Sequence, residues 1–305
     1  MQLDLKTILE SKVKVRNIFK AQSVAERFSS TRHIPADVFA GITDEIIDIF
    51  EEYLPNKTSF NILEVGIGGG RFTLPFTTQL QKRHPGSNLT GFDNSIAMMS
   101  QLPEELKSLQ SFKYSVHDIT QPLPFEKNYF DASISFYVYH CIKKWQLALE
   151  NVLNTIAEPK LLIFLRERSQ WGFYLDNRFT KINVTNKTYR KFWQEYFNLR
   201  EQISPMPKFD ISASDLAMLT SYLKSKGYSH DNKILKTSWN RIVDYREALE
   251  SIELGLFTKT RVGLDKKQRN QLTNDMKSWL VQNRIDPNIP SGEIPASIEV
   301  DIFYL

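Results

Sequence analysis

Short apolar runs alternate with amphipathic segments along the first half of the chain. Apolar residues at helical spacing predict an N-terminal helical region that ends near Pro55. Beyond it, five apolar runs have the length of strands and span residues 60–65, 88–93, 112–118, 130–140 and 160–165. Helical periodicity between them predicts helices over residues 72–81, 95–102 and 143–156. This alternation indicates a parallel sheet that is covered by helices on both faces.

The alternation stops after Leu165, where a polar and aromatic stretch begins. We interpret residues 166–212 as an inserted cap. Later segments predict a helix over 214–226, a strand near 233–237 and a helix over 265–282. The last residues alternate apolar and polar side chains, which suits an antiparallel strand at the edge of the sheet. The expected organisation is N-terminal cap helices over residues 1–55 and one domain over residues 56–305.

Composition narrows the class of protein. The chain has 305 residues, of which 41% are hydrophobic and 24% are charged, as in a soluble globular protein. Its longest apolar runs are far shorter than the ~20 residues of a membrane helix, and Asp4 interrupts a signal peptide, so we expect a cytoplasmic protein. The single cysteine, Cys141, cannot form an internal disulfide, and the histidines lack metal-ligand spacing. We therefore expect no metal site.

A glycine-rich turn follows the first predicted strand. Residues 63–72 read LEVGIGGGRF, with Gly66, Gly68 and Gly70 at alternate positions. A dinucleotide fingerprint that began at Gly66 would need a glycine where Arg71 stands, and the GK[ST] of a P-loop is missing. Both phosphate-binding interpretations are therefore weak. Glycines here would still let the backbone approach a ligand closely.

The pattern E-x-G-x-G-x-G resembles motif I of class I S-adenosylmethionine (SAM)-dependent methyltransferases, and the resemblance continues over about residues 60–165. It implies an α/β, Rossmann-like class I methyltransferase fold: a mostly parallel seven-stranded sheet with an antiparallel C-terminal strand and a helical cap insertion after the fifth strand. It also implies S-adenosyl-L-methionine as cofactor and S-adenosyl-L-homocysteine as product. Asp93 matches the acid that binds both ribose hydroxyls, and Asp118 matches the acid beside the adenine amine.

The N-terminal string VAERFSSTRHIP resembles the helix and loop that many of these enzymes fold over the cofactor. The resemblance places Phe28 and Arg32 near the methionine end of the cofactor. The alternative is an ordinary helix that packs against the domain. The full set of expected cofactor-binding residues is Glu64, Gly66, Gly68, Gly70, Asp93, Asn94, Asp118, Ile119, Phe136, Phe28 and Arg32.

Catalytic candidates follow the fourth predicted strand. His140 lies where many relatives carry a residue that faces the transferring methyl group, and an imidazole with a pKa near ~6.5 could remove a proton from an acceptor. Tyr137 and Tyr139 are weaker polar candidates, since strand alternation turns residues of only one parity toward the ligand. A structural role is the alternative for a lone histidine. A carboxylate acceptor would need no base at all.

Acceptor-binding candidates come from the inserted cap. Residues 166–200 hold eight Lys and Arg against three Asp and Glu, together with nine aromatic residues. A cap that is apolar and cationic suits an organic acid or another anionic amphipathic molecule. Arg166, Arg168, Trp171 and Tyr174 are the expected substrate-binding residues. Aromatic residues at helical spacing, as over residues 189–196, are more typical of a core.

The resulting functional hypothesis is methyl transfer from SAM to a small or medium-sized organic acceptor, with the oxygen of a hydroxyl or carboxylate as the expected acceptor atom. We expect a small-molecule partner, anionic or aromatic, rather than a nucleic acid or a membrane. Two alternatives stay open. Basic residues among aromatics also describe an RNA surface, and FSSTRH resembles a segment of tRNA-modifying methyltransferases. A SAM-binding protein without transferase activity would have the same glycine turn.

Overall fold

The computed structural model describes residues 22–28, 34–169, 187–204, 211–242, 244–256, 260, 263–290 and 292–305. Its centre is a seven-stranded sheet, whose strands are β1 (Asn61–Val65), β2 (Asn88–Asp93), β3 (Phe112–Val116), β4 (Phe130–Phe136), β5 (Ile156–Ser169), β6 (Ser229–Ile242) and β7 (Glu293–Tyr304). The described helices are α1 (Gln22–Phe28), α2 (Ala36–Tyr53), α3 (Thr73–Arg83), α4 (Ile96–Met99), α5 (Glu104–Ser108), α6 (Trp145–Leu153), α7 (Lys187–Ile203), α8 (Ile211–Ser225), α9 (Tyr245–Leu254) and α10 (Lys266–Gln282).

The strand order is β3-β2-β1-β4-β5-β7-β6. Strands β1 to β5 pair in parallel, whereas β7 is antiparallel to both of its neighbours, β5 and β6. The predicted mostly parallel sheet with an antiparallel C-terminal strand is therefore confirmed. The prediction that this strand forms the edge is wrong, because β7 lies between β5 and β6. Its apolar residues Ile298, Val300 and Ile302 are fully buried, as an interior strand requires.

Helices cover both faces of the sheet. One face packs against α2 and α3, with Ile46, Phe50 and Phe76 fully buried in this core. The other face packs against α6 and α8, where Leu149 and Leu223 are equally buried. The expectation that helices cover both faces of the sheet is thus confirmed. The ends of the strands are not covered by these helices. None of the described helices has both the length and the apolar character that a membrane crossing demands.

A third core joins helices outside the sheet. The aromatic side chains on one side of α7 are buried against α9 and α10; they are Tyr189, Phe192, Trp193 and Tyr196. These are the aromatic residues at helical spacing, and core packing is the role expected of them. Helix α9 was not predicted; it begins at Asp244, whose side chain accepts hydrogen bonds from the first turn of the helix, and ends at Gly255 in the left-handed conformation.

Strand β4 is shorter than its apolar run. The run was predicted as a strand over residues 130–140, but pairing ends at Phe136 because Tyr137 has a positive φ of 60°. A short 3₁₀ turn, Tyr139–Cys141, follows directly. The chain thereby turns over the carboxyl end of the sheet, and this turn decides which of the catalytic candidates face the ligand.

Candidate active site

A cavity of about 210 Å³ lies at the carboxyl ends of β1, β2 and β4. The strand order reverses between β2 and β4 at β1, and ligands of open α/β sheets bind at such a reversal. The cavity is lined by ten of the predicted site residues: Glu64, Gly66, Gly68, Asp93, Asn94, Asp118, Ile119, Phe136, Tyr137 and His140. It is also lined by residues that were not predicted, among them Arg71, Phe72, Met98, His117, Cys141 and Glu167.

The glycine turn forms the floor of this cavity. Gly66 has a φ of 76°, and its amide donates to the carbonyl oxygen of Phe92 at 2.7 Å. A Cβ atom at Gly66 would lie 2.4 Å from Cγ2 of Val138. Both the left-handed backbone and the close approach of Val138 therefore require glycine. Gly70 differs, because a Cβ there would meet Leu102 and Leu106 at 2.8 Å, so its role in the described structure is close packing.

We expect Gly66→Ala to destabilise the protein by more than Gly86→Ala. Both glycines have positive φ values, 76° and 90°, so both variants carry the backbone strain of about 1–2 kcal/mol. Only at position 66 does the new methyl group also collide with a neighbour, since the nearest atom at Gly86 is 4.0 Å away. Urea unfolding of the two variants measures the difference. Equal losses would mean that the contact with Val138 is irrelevant.

Asp93 ties the glycine turn to the end of β2. Its Oδ2 accepts from the amide of Gly68 at 2.9 Å, and its Oδ1 accepts from the amide of Ser95 at 2.9 Å. Burial raises the pKa of Asp93, and hydrogen bonds from the amides of Ser95, Gly68 and Asn94 oppose that rise. A carboxylate has about four lone-pair sites, so beside these three amides the side chain can still accept a hydrogen bond from a ligand.

Glu64 lies almost fully buried at the end of β1, with 2% of its surface exposed. Oε1 accepts from the Thr73 hydroxyl at 3.2 Å, whereas Oε2 has no hydrogen-bond partner among the described residues. Burial raises the pKa of Glu64 to about 8; the charge of Asp93 adds to this effect and the Thr73 hydroxyl opposes it. The cavity therefore holds a carboxyl group that stays largely protonated at neutral pH while no ligand is bound.

This raised pKa predicts how stability depends on pH. Folding favours protonated Glu64, so its contribution to stability is complete below the ordinary pKa of 4.5 and is lost as the pH rises to about 8. Glu64→Gln stays neutral and should escape this loss, which is at most about 1.4 kcal/mol per pH unit. Urea unfolding of cofactor-free protein across this range tests it, with the exposed Glu104→Gln as control. Parallel pH profiles for wild type and Glu64→Gln would contradict the prediction.

Asp118 and His117 form the far wall of the cavity beyond β3. The amide and hydroxyl of Thr120 donate to Oδ1 of Asp118 at 3.1 and 2.9 Å, which fixes the carboxylate. The His117 ring lies 5.2 Å from the Phe92 ring, and its buried Nε2 has no hydrogen-bond partner in the described part of the chain. Sequence reasoning missed His117, although it directly precedes a predicted site residue.

The opposite end of the cavity is built by the turn after β4. The Tyr137 hydroxyl donates to the backbone carbonyl of Glu167, and the Tyr137 ring lies 6.0 Å from the His140 ring. Nε2 of His140 is 3.2 Å from Sγ of Cys141. Tyr139 faces away, into the core, where burial raises the pKa of its hydroxyl. Of the two tyrosine candidates, only Tyr137 therefore lines the cavity.

Arg166 is engaged elsewhere. Its Nη2 donates to Oε1 of Glu299 at 2.6 Å, and its Nε is 3.6 Å from Oδ2 of Asp301, whose side chain is buried. The neighbouring residue, Glu167, points to the other face of β5 and lines the cavity instead. A substrate-binding role for Arg166 stays a prediction. The side chains of Phe28 and Arg168, and the whole of Arg32, Trp171 and Tyr174, lie outside the described residues.

Helix α1 lies close to the glycine turn of the cavity. Ala25 is fully buried in a small cluster with Ala97 and Met98 of α4, and Met98 lines the cavity. Arg27 Nε is 3.2 Å from Oε1 of Glu250 in α9. The amino-terminal helix thus packs beside the site and is linked by an ion pair to the third core.

The strand order and the glycine turn at its reversal define a Rossmann-like α/β protein that binds its ligand at the carboxyl ends of the strands. Residues 63–163 match the family model described as a methyltransferase domain. Over these residues the chain is a SAM-dependent methyltransferase domain. No curated protein sequence matches the chain.

Three solved structures illustrate the likeness of fold. The YcgJ protein of Bacillus subtilis is 14% identical, with 81% of this chain and 92% of that chain covered and a TM-score of 0.43. The [4+2]-cyclase SpnF is 12% identical, with 86% and 80% covered and a TM-score of 0.45. Phosphoethanolamine N-methyltransferase 2 of Haemonchus contortus, in complex with SAM, is 15% identical, with 86% and 52% covered and a TM-score of 0.43. Because these TM-scores are low, the assignment to the methyltransferase domain rests on the match of residues 63–163 and on the strand order of the sheet.

Proposed function

We propose that this methyltransferase acts on a small or medium-sized organic acceptor, at an oxygen atom. Support comes from one cavity that is lined both by the glycine turn, Asp93 and Asp118 and by Tyr137 and His140. Cofactor and acceptor would thus meet in the same cavity. In-line methyl transfer needs chiefly that the acceptor be positioned and, for a hydroxyl group, that a proton be removed.

The charge of the cavity lining favours SAM over a dinucleotide as the cofactor. Three carboxylates, Asp93, Asp118 and Glu167, and the largely protonated Glu64 line the cavity, against one arginine, Arg71. SAM brings a positively charged sulfonium and an ammonium group, which suit an acidic lining. The pyrophosphate of a dinucleotide would bring negative charge toward these acids without a compensating cluster of cations. The lining therefore suits SAM.

In this proposal the residues at the two ends of the cavity have different roles. Asp93 and Asp118 bind and orient the cofactor, which when bound supplies a methyl group already activated for displacement. The acceptor lies between Phe136, Tyr137 and His140, and His140 removes the proton of a hydroxyl acceptor. The Tyr137 hydroxyl, held by the carbonyl of Glu167, fixes the wall beside it.

The acid-rich lining also favours a small acceptor over RNA, whose phosphates would face the same carboxylates. A transfer assay tests this proposal directly. Protein and SAM labelled in the methyl group are incubated with a metabolite extract and, separately, with total RNA, and Asp93→Ala is the control for dependence on the cofactor site. We expect label in small molecules, at an oxygen atom. Label in RNA alone would overturn the proposal. SAM binding with no transfer to either pool would instead support the alternative of a SAM-binding protein without transferase activity.

A further inference from the structure

A short turn after β3, residues 118–121, forms part of the far wall of the cavity; we call it the β3 turn. Asp118 and Ile119 of this turn line the cavity. The amide of Gln121 donates to the carbonyl oxygen of Asp118 at 2.8 Å, which closes a β-turn. Thr120 holds Oδ1 of Asp118 through its amide and its hydroxyl. The β3 turn is therefore one compact hydrogen-bonded unit, and its position sets where its polar groups meet a ligand.

Asn151 of α6 holds the β3 turn against the core of the domain. Its Nδ2 donates to the carbonyl oxygen of Ile119 at 3.0 Å and to that of Gln121 at 2.9 Å. The nitrogen of an amide side chain has two protons, so a single residue satisfies the carbonyl groups on both sides of Thr120. The helix that carries Asn151 is itself fixed, because the adjacent Val152 is fully buried in the core.

The wall around the β3 turn suits the purine base of SAM. Phe92, His117 and Ile119 line the cavity here, and the Phe92 and His117 rings lie 5.2 Å apart. The base is the only aromatic part of SAM, and aromatic and apolar residues favour such a group. The buried Nε2 of His117 has no hydrogen-bond partner among the described residues. The wall therefore brings apolar residues together with hydrogen-bonding groups, as recognition of a heteroaromatic base requires.

We propose that Asn151 is a positioning residue for the cofactor, and that it holds the β3 turn so that the turn recognises the edge of the adenine base. This inference rests on the proposed placement of SAM against Asp118. Recognition by hydrogen bonds needs donors and acceptors at fixed positions, which a surrounding layer of contacts must supply. Leucine at position 151 would have a similar size but no donor, so both carbonyl groups of the turn would be released at once.

S-inosylhomocysteine makes recognition of the base measurable without knowing the acceptor. It differs from S-adenosylhomocysteine only at the edge of the base, where a carbonyl acceptor replaces the amine donor and the neighbouring ring nitrogen changes from acceptor to donor. Isothermal titration calorimetry gives the ratio of its dissociation constant to that of S-adenosylhomocysteine. We expect a wild-type ratio of about ten or more, the scale of hydrogen bonds that only one of the two ligands can make.

Matched variants separate recognition of the base from general stability. Asn151→Leu should lower this ratio at least about threefold, because a released turn discriminates less between the two edges. Asn61→Leu is the control, since Nδ2 of Asn61 donates to the carbonyl oxygen of Tyr129 at 2.8 Å at the start of β1, away from the cavity. Its ratio should equal that of the wild type. If Asn151→Leu does not fold, Asn151→Ser replaces it, because one hydroxyl proton satisfies at most one of the two carbonyl groups.

The outcomes distinguish this inference from the proposed function. An equal loss of affinity for both ligands in the Asn151 variant, with the ratio unchanged, would show a purely structural role and overturn the proposal. A wild-type ratio near one would overturn it together with the placement of the base against Asp118. Neither result bears on methyl transfer to a small organic acceptor, because no acceptor takes part in the measurement. That function fails only in the transfer assay with labelled SAM.

Discussion

His140→Ala lowers kcat about a hundredfold if His140 removes the proton of a hydroxyl acceptor. The structure puts His140 on the cavity wall beside Tyr137, in the turn that follows β4. The wild-type rate should then rise with pH as the imidazole loses its proton. Steady-state kinetics with the acceptor identified by label transfer measures both effects.

Tyr139→Phe is the matched control for this variant. It changes the residue next to His140 in the same turn, but its side chain faces the core rather than the cavity, so kcat should stay near that of the wild type. Near-normal turnover in His140→Ala together with a flat pH profile would remove the general-base role. That outcome would point to a carboxylate acceptor.

Asp93→Ala should weaken SAM binding by about 1.5–3 kcal/mol, the usual scale for hydrogen bonds to a charged group. The structure gives a second reason for a large effect, because the same carboxylate holds the amide of Gly68 and so positions the glycine turn. Isothermal titration calorimetry measures the loss of affinity, and thermal unfolding shows whether the variant stays folded.

Asp131→Ala controls for the loss of a partly buried acid from the same sheet. Asp131 accepts from the amide of Asn61 at 2.7 Å at the start of β1, the end of the strand away from the cavity. Its removal should cost stability while leaving SAM affinity unchanged. Unchanged affinity in Asp93→Ala would remove Asp93 from the cofactor site.

The elements that could be predicted from the sequence are those that local signals determine. Each strand from β1 to β5 contains a short apolar run, and the glycine turn and Asp93 immediately follow or end such runs. Their meeting in one cavity follows from parallel strands, whose carboxyl ends share one edge of the sheet. The position of β7 had no such signal, because alternation shows that a segment is a strand but not which strands it lies between.

The ion pair between Glu167 and Arg241 depends on long-range pairing, and for that reason sequence reasoning missed it. Glu167 meets Arg241 only because β7 places β5 and β6 on its two sides, so the contact joins residues on strands that do not pair with each other. Cys141 and His140 are neighbours in sequence, but both line the cavity because they lie in the 3₁₀ turn. The positive φ of Tyr137, which starts that turn, is a conformation that an aromatic residue gives no reason to expect.

The central claim is that this cavity binds SAM, and calorimetry with purified, cofactor-free protein tests it most directly. We expect SAM and S-adenosylhomocysteine to bind with micromolar dissociation constants, or roughly −8 kcal/mol. We expect no measurable heat of binding with NAD, whose pyrophosphate would face the acid-rich lining. Binding of NAD with an affinity equal to that of SAM, or no binding of SAM and its product, would contradict the assignment of the site.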